Sequence, residues 1–511
     1  MMERTPPRYS TLTLTPLPVY PTAGELDIST LGDPRSRDRT SLQAFEFCIE
    51  NGNNQAWATL RLMSRVPASL QRPRYTSGDS IEGSVILDLK RPQTITSIAV
   101  LLRGKMITSS LSEGSHLFLE VTHPVWDSTS GVPPPGGSKV SSPSGKLQGQ
   151  YSWPFSIPFP TEFQDASPGG SSQKYPTPQT VLARGINANI AYEVVLKITT
   201  GGLIGSKHRA TATVIYVPRI RPPPISPLRT GAYLNSSYLV GPEEDPTGWR
   251  ALTPMKFRLS AKGTSFSSSV DVECTVFVAN PTVYTRGTVI PCYLVCKNDT
   301  SSSDGDAVAL LHAFTEQKRI SLVHYQKVQY HQDPRQALSS KQASNIKIKG
   351  SKAERANNSE ECGVAVWWTP SASLADRLGS GHEGVHYSCL EGEIHLDVGD
   401  LPSCETPFLQ VSHSVSASLK ASEILNIEVL FPLPPPEVIS RRPSGSKAPA
   451  ELPSQRILSS LPVKIATANA IEGPIPAPFT PRPPSKKKDA WSVQEFQYKD
   501  PGGSGIIFMG R

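Results

Sequence analysis

The chain has 511 residues, with 49 prolines, 37 glycines and a formal net charge of +7. That length is enough for two or three domains that each bury a hydrophobic core, while the proline and glycine content predicts several long unstructured stretches. Basic residues are scattered apart from the run 486–488, so the charge pattern excludes a nucleic-acid surface. This run has two interpretations: a solvated linker, or a weak peripheral attraction to an anionic membrane.

The cysteines indicate a reducing compartment. There are seven of them, an odd number, at irregular spacings and without a Cys-x-x-Cys pair, which predicts ordinary buried thiols rather than a disulfide framework or a zinc site. The first thirty residues contain no apolar leader, and the longest apolar runs are far shorter than a membrane span. We therefore expect a cytoplasmic protein without a metal or other cofactor.

The first part of the chain predicts a disordered tail followed by an all-β domain. Residues 1–40 lack hydrophobic periodicity and are rich in proline, threonine, serine and charge. From residue 41 to 217, short β-branched and aromatic runs alternate with turn residues, as in an antiparallel β-sandwich. These runs are QAFEFCIE, ATLRLMS, SIEGSVILDLK, TITSIAVLLRG, HLFLEV, IAYEVVLKIT and ATATVIYV. Insertions at 128–146 and 164–179 predict long surface loops.

A second all-β domain is predicted at 255–432, after a proline-rich connector at 218–254. Its predicted strands are MKFRLSA, SVDVECTVFV, VIPCYLVCKN, VALLHAF, CGVAVWWT, CLEGEIHLDV and SEILNIEVLF. The polar segment at 326–358 predicts a loop. Residues 433–511 are dominated by proline, serine, alanine and basic residues, which predicts a second disordered tail.

The two predicted domains share a local motif. Tyr75-Thr76-x-Gly78 in the first domain matches Tyr284-Thr285-x-Gly287 in the second, and a strand follows each. The glycines permit the positive φ of a tight turn, while the tyrosines end the preceding segment against the sandwich. A shared motif in a shared context predicts that one domain is a duplicate of the other.

Two successive sandwiches with this motif resemble the arrestin fold, specifically its α-arrestin branch. In the first domain the resemblance is carried by Val85, Leu87, Leu89, Lys90, Pro92, Ile95, Ser97, Ile98, Val100, Leu102 and Gly104, and by YSWPFSIPFP at 151–160 and NIAYEVVLKI at 189–198. In the second it is carried by YTRGTVIPCYLVCKN at 284–298 and by LNIEVLFPLPPP at 425–436, which resembles the closing strand. The resemblance implies two tandem immunoglobulin-like antiparallel β-sandwiches with disordered N- and C-terminal tails.

The resemblance also implies a function. Proteins of this family are non-enzymatic adaptors that bind cytosolic segments of membrane transporters or receptors and recruit HECT-type ubiquitin ligases, whose WW domains bind PPxY motifs. Here residues 6–9 (PPRY) form a complete PPxY motif, and residues 17–20 (LPVY) fit the looser LPxY form. The predicted WW-domain-binding residues are Pro6, Pro7, Tyr9, Leu17, Pro18 and Tyr20.

Both motifs suit a WW domain physically. Prolines pre-set the extended polyproline II shape, so little entropy is lost when the segment binds an aromatic groove, and the tyrosine fills a neighbouring pocket. Tyr9 and Tyr20 are eleven residues apart, at most about 36 Å when extended. Adjacent WW domains could therefore bind both motifs at once and gain avidity.

One motif points towards an enzyme, and its setting argues against it. HEGVH at 382–386 has the His-Glu-x-x-His pattern of zinc proteases, which needs both histidines on one face of a helix. Glycines surround the motif and a strand pattern follows it, so His382 and His386 would lie about 13 Å apart in an extended chain. Neither a nucleophile elbow nor a Walker or dinucleotide-binding loop is present. We expect no enzymatic activity.

The adjacent Trp367 and Trp368 are expected to face opposite sides of a strand, one in the core and one at the surface. The sequence as a whole predicts an adaptor that bridges membrane-protein cargo to a ubiquitin ligase and promotes endocytosis, in the cytoplasm or recruited to plasma membrane or endosomes. The alternative is an arrestin-fold scaffold or sorting-coat component that binds partners through strand edges without a ligase. A secreted adhesion module is a distant third interpretation, disfavoured by the missing leader.

Overall fold

The computed structural model describes twelve stretches of the chain, and nearly all regular structure in them is strand. The described residues are 41–66, 70–109, 114–129, 146–164, 173–182, 186–201, 205–262, 269–298, 305–332, 355–370, 386–431 and 457–483. These stretches contain two short helices, and their strands form two successive β-sandwiches. The predicted all-β, tandem-sandwich fold class is confirmed.

The first sandwich has two main sheets and a small hairpin. Its strands are β1 (Ser41–Glu50), β2 (Ala56–Val66), β3 (Arg74–Thr76), β4 (Ser80–Gln93), β5 (Ile95–Ile107), β6 (Ser115–Asp127), β7 (Leu147–Pro158), β8 (Glu162–Gln164), β9 (Lys174–Pro176), β10 (Asn189–Thr200) and β11 (Lys207–Val217). One sheet has the order β1-β2-β4-β7, the other β3-β11-β10-β5-β6, and β8 pairs with β9. Apolar residues at alternate positions, such as Leu60 and Leu62 on β2, point between the sheets and are fully buried.

The connector and the second sandwich together contain both helices, the first in the connector and the second in the sandwich. Their elements are α1 (Pro227–Leu234), β12 (Trp249–Ala251), β13 (Met255–Ala261), β14 (Ser269–Ala279), β15 (Val283–Thr285), β16 (Val289–Asn298), α2 (Gly305–Glu316), β17 (Ile320–His331), β18 (Arg355–Val364), β19 (Val366–Trp368), β20 (His386–His395), β21 (Cys404–Glu405), β22 (Leu409–Leu419), β23 (Leu425–Phe431) and β24 (Ile457–Ala466). One sheet has the order β19-β20-β16-β14-β13-β23, and the other β15-β24-β22-β17-β18.

The two sandwiches repeat one strand plan. The order β1-β2-β4-β7 corresponds to β13-β14-β16-β20, and β3-β11-β10-β5-β6 corresponds to β15-β24-β22-β17-β18. The shared Tyr-x-x-Gly motif occupies the same place in both copies, and its glycines adopt the predicted positive φ, +92° at Gly78 and +81° at Gly287. The structure therefore supports the predicted duplication.

The second sandwich does not end at residue 432, where the sequence placed its last strand. β24 lies beyond that boundary, pairs antiparallel with β22 and parallel with β15, and fills the position that β11 fills in the first sandwich. β23, the predicted closing strand, is instead an edge strand paired with β13. Part of the predicted tail is thus the penultimate strand of a sheet, between β15 and β22. Residues 433–456 and 484–511 lie outside the described residues.

Two further predictions about the second sandwich are wrong. The run VALLHAF belongs to helix α2, because Ala307, Leu310, Leu311 and Phe314 are buried at the spacing of one helical face. The segment 326–358 is not one loop, since its ends complete the antiparallel pair β17 and β18. More exposed residues there alternate with buried ones along β17. The residues between β17 and β18 that remain of the predicted loop, 333–354, lie outside the described residues.

The sandwiches share one apolar cluster and are joined side by side. Phe408, between β21 and β22, is buried with its ring 5.1 Å from that of Phe118 and 5.8 Å from that of Phe163, both in the first sandwich. The Asn187 backbone N–H donates to the Tyr330 hydroxyl over 3.3 Å. Aromatic rings of this size dominate the energetics of a buried contact, so Phe408 acts as a plug between the two domains.

Candidate binding surfaces

The predicted WW-domain-binding residues lie outside the described residues. Pro6, Pro7, Tyr9, Leu17, Pro18 and Tyr20 all precede residue 41, where description begins. What the structure gives is their point of attachment. They precede β1, which among the described strands pairs only with β2 and forms one edge of its sheet.

The zinc-protease pattern receives no support from the part of it that is described. Residues 382–385 lie outside the described residues, and His386 is the first residue of β20, paired with Asn298 of β16. Among the described residues, no group of three or more His, Cys, Asp or Glu side chains could hold a metal ion. In the same residues, neither helix has the length and apolar character needed to cross a bilayer.

The connector is fastened to the second sandwich by a buried arginine. The Arg229 guanidinium, on α1, donates to the backbone carbonyl of Asn280, which follows β14, over 3.0 Å, and also to that of Gly248 within the connector. It also lies 4.8 Å from the centre of the Trp249 ring, a cation–π contact. Burial lowers the pKa of Arg229 from its ordinary value, but a guanidinium still stays charged at neutral pH. Residues 241–244 of the connector lie beside Tyr293 of β16 and Cys389 of β20, on the outer face of the sheet that contains these two strands.

Two glutamates and a histidine of β20 lie on the same outer face. Glu391, Glu393 and His395 occupy alternate positions of β20 and so face the same side of the sheet. Burial raises the pKa of Glu391, although the Trp368 indole N–H donates to it over 2.9 Å. For Glu393 burial also raises the pKa, but hydrogen bonds from His395, Thr480 and Phe479 outweigh it, and the pKa is below its ordinary value.

The two adjacent tryptophans separate as predicted. Trp367 is buried in the core of the sandwich, against Gly392, where a Cβ atom would come within 2.5 Å of the indole. Trp368 points to the outer face and is half-buried. Its ring is covered by Phe479 with the ring centres 6.0 Å apart. The surface tryptophan is thus a contact within the chain.

Phe479 belongs to a segment that we call the strap, residues 470–483. The strap follows β24 and crosses the outer face next to the connector. Its Ile475 and Pro476 help to line a cavity of about 50 Å³ together with Pro222 and Tyr233 of the connector. The sequence had assigned the strap to a disordered tail, yet it is bonded to β20 through Glu393.

Sequence reasoning missed this acidic surface, although a signal for it was present. The predicted strand CLEGEIHLDV alternates apolar residues with Glu391, Glu393 and His395, which marks one face as polar. The sequence pattern did not show that this face is buried, because the strap residues that cover it come about ninety positions later in the chain. An alternation pattern gives the direction of a side chain but not what lies on it.

Comparison with known proteins supports the fold. A family model described as arrestin (or S-antigen), N-terminal domain, matches residues 68–219. This range covers the first sandwich from just before β3 to just after β11. No curated protein gives a significant match. Since the second sandwich repeats the strand plan of the first, the chain has an all-β, two-domain arrestin fold, and its first sandwich is similar to an arrestin N-terminal domain.

Proposed function

We propose that this chain is a non-enzymatic adaptor of the α-arrestin type, which bridges membrane-protein cargo to a HECT-type ubiquitin ligase. The observation that carries the proposal is the arrestin N-terminal domain at residues 68–219, in a chain with a PPxY and an LPxY motif before it. Arrestin domains are protein-binding modules, which favours an adaptor or scaffold. The PPxY and LPxY motifs in the tail favour a ligase with WW domains as the second partner.

The tail would hold the ligase close to the body. Tyr20 precedes Ser41, the start of β1, by twenty-one residues, a span of at most about 70 Å. A ligase bound at both motifs would therefore remain within one domain diameter or two of the sandwiches. Tethering over such a distance raises its effective concentration near cargo lysines without any new contact.

The body would supply the cargo surface. β1 and β7 are the edges of one sheet of the first sandwich, and β6 is an edge of the other. Edge strands present unpaired backbone groups that an extended peptide can join as an added strand. A cytosolic tail or loop of a transporter or receptor fits this mode. The adaptor would work in the cytoplasm and be recruited to plasma membrane or endosomes by its cargo.

The tail motifs are tested by a pull-down of the full chain with an isolated array of WW domains. We expect Tyr9→Ala with Tyr20→Ala to abolish binding, and either single change to weaken it, because avidity is lost. Tyr498→Ala is the matched control, a tyrosine without prolines at the two relevant positions before it. Binding of the double variant at the level of the control would overturn the assignment of the motifs.

The runner-up is an arrestin-fold scaffold or sorting-coat subunit that needs no ligase. It is favoured by the same body and differs only in the role of the tail. Deletion of residues 1–25 distinguishes the two, because it should stop cargo ubiquitylation by an adaptor and leave the assembly of a scaffold intact.

A further inference from the structure

The strap is fastened at one buried carboxylate. Glu393, only 1% exposed, accepts hydrogen bonds from the backbone N–H groups of Phe479 over 2.9 Å and Thr480 over 2.7 Å, and from the Thr480 hydroxyl. The same hydroxyl lies 2.8 Å from Nε2 of His395, which in turn lies 3.2 Å from the Glu393 carboxylate. Thr480 thus sits in a closed triangle with a carboxylate and an imidazole.

Outside this triangle the strap is held by further side-chain contacts, including those of Ile475 and Pro476 with the connector. The Arg482 guanidinium donates to the backbone carbonyls of Leu396, over 3.2 Å, and Gly287, and Phe479 covers Trp368. Residues 470–483 belong to no helix or strand, so no ladder of strand pairing holds them to the sandwich. Segments held by a few side-chain contacts, without a backbone ladder, open at low free energy. The strap is therefore a detachable part of the fold.

We propose that Thr480 is a phosphorylation site and that a phosphate there releases the strap from the second sandwich. Thr480 is followed directly by Pro481, the dipeptide that proline-directed kinases modify. The reaction transfers the γ-phosphoryl group of ATP to Oγ1 of Thr480. The bond between the β,γ-bridging oxygen and the γ-phosphorus breaks, ADP leaves, and the hydroxyl proton passes to the base of the kinase.

The phosphorylated strap cannot return to its place. A phosphothreonine carries about 1.5 to 2 negative charges at neutral pH, and Oγ1 is within hydrogen-bond distance of a carboxylate that is ionised there. Like charges at such contact in a poorly hydrated site repel strongly. The modification also removes the hydroxyl proton that Thr480 donates to Glu393. Release exposes Trp368, Glu393 and His395 together.

The modification requires prior opening. The hydroxyl is engaged in the closed state, so the kinase acts on the fraction of molecules whose strap is detached, and the phosphate then prevents closure. This is a shift between two existing states rather than a new conformation. Thr406-Pro407 offers an internal comparison. Its hydroxyl is buried in the turn before β22, next to the interdomain plug Phe408, and cannot open without parting the domains.

The test uses the full chain, ATP and a cyclin-dependent kinase, with phosphate mapped by mass spectrometry and amide exchange measured on the product. We expect phosphate on Thr480 and none on Thr406, and at least a tenfold faster exchange of the Phe479 and Thr480 amides. The proposal is overturned if Thr480 stays unmodified where a synthetic peptide of residues 474–484 is fully phosphorylated. It is also overturned if the amides of the phosphorylated chain stay protected.

Two variants separate charge repulsion from a general loosening. Thr480→Ala should take up no phosphate at this site and keep slow exchange at Phe479. Glu393→Gln keeps an acceptor oxygen but removes the charge, so phosphorylation should accelerate exchange several-fold less than in the parent chain. An equal acceleration in Glu393→Gln would contradict repulsion as the cause of release.

Discussion

Tyr75 and Tyr284 are equivalent residues in two copies of one fold. Each is the middle residue of a three-residue strand that runs parallel to the last strand of its own sandwich, with Tyr75 paired to Tyr216 and Tyr284 to Ile465. Both rings are buried, and both hydroxyls donate to backbone carbonyls, of Met63 and Ala279 respectively. The last strand of each sandwich is therefore needed to seat its tyrosine.

The first prediction concerns the end of the second sandwich. A chain truncated after residue 432 lacks β24, so β15 and β22 each lose a neighbour and Tyr284 loses its cover. We expect it to aggregate or to lose its second unfolding transition. A chain truncated after residue 483 is the control and should unfold as the parent does. Normal folding of the shorter chain would mean that β24 is dispensable.

The second prediction concerns the interdomain plug. Phe408→Ala removes a ring packed against Phe118 and Phe163 and should destabilise the chain by about 3–5 kcal/mol, as expected for a large side chain deleted from a core. Phe408→Leu should lower the free energy of unfolding by less than Phe408→Ala. Chemical denaturation followed by circular dichroism measures both. An effect below about 1 kcal/mol for the alanine variant would show that the domains do not depend on this contact.

The third prediction concerns the turn glycine of the first sandwich. Gly78 has φ of +92°, and a Cβ there meets no atom within 4 Å, so Gly78→Ala costs about 1–2 kcal/mol through backbone conformation alone. Gly231, in α1, has equal space and no positive φ. Gly231→Ala should instead stabilise by up to about 1 kcal/mol. Equal effects at the two sites, measured by thermal unfolding, would refute the conformational argument.

The fourth prediction is that Glu391 and Glu393, two residues apart on β20, respond to pH in opposite directions. The pKa of Glu393 is below its ordinary value of 4.5, so its contribution is present above that pH and is lost as pH falls through the lowered value. Glu393→Gln should therefore be less stable than the parent at pH 7, by about 1.5–3 kcal/mol for lost charged hydrogen bonds. The difference should shrink as the pH falls below 4.5 and passes through the lowered pKa of Glu393.

The matched measurement is made on Glu391→Gln. The pKa of Glu391 is raised by burial. Protonated Glu391 therefore contributes to the stability of the parent chain below the ordinary carboxyl range, and this contribution is lost as pH rises through the raised pKa. The variant should therefore gain stability relative to the parent between acid and neutral pH. Denaturation at pH 4, 5.5 and 7 compares both variants. Parallel pH profiles for the two would contradict the assigned shifts.

Strand alternation and local turn chemistry made the fold class and the duplication predictable. The Tyr-x-x-Gly motif was informative because a positive φ at Gly78 and Gly287 is a local requirement. Helix α2 was missed because a short apolar run such as VALLHAF fits a strand or a buried helix equally well, and only the spacing of its buried residues decides. A local sequence pattern is thus sufficient to predict structure where a turn residue fixes the backbone conformation.

Long-range partners were not predictable. β24 follows a proline-rich stretch, and its pairing with β15 joins residues about 180 positions apart, which no local pattern reports. The strap on Glu393 was missed for the same reason. ILSSLPVKIA has the alternation of ATATVIYV in β11, so the duplication, followed to its end, would have required a last strand here.

The bridging role is tested most directly by affinity capture of the full chain from cells, with and without Tyr9→Ala and Tyr20→Ala, scored for HECT-type ligase, membrane proteins and their ubiquitin. We expect both forms to retain membrane proteins, and the double variant to lose the ligase and most of the ubiquitin on the captured cargo. Equal ligase capture and equal cargo ubiquitylation by the two forms would contradict an adaptor that works through its N-terminal motifs.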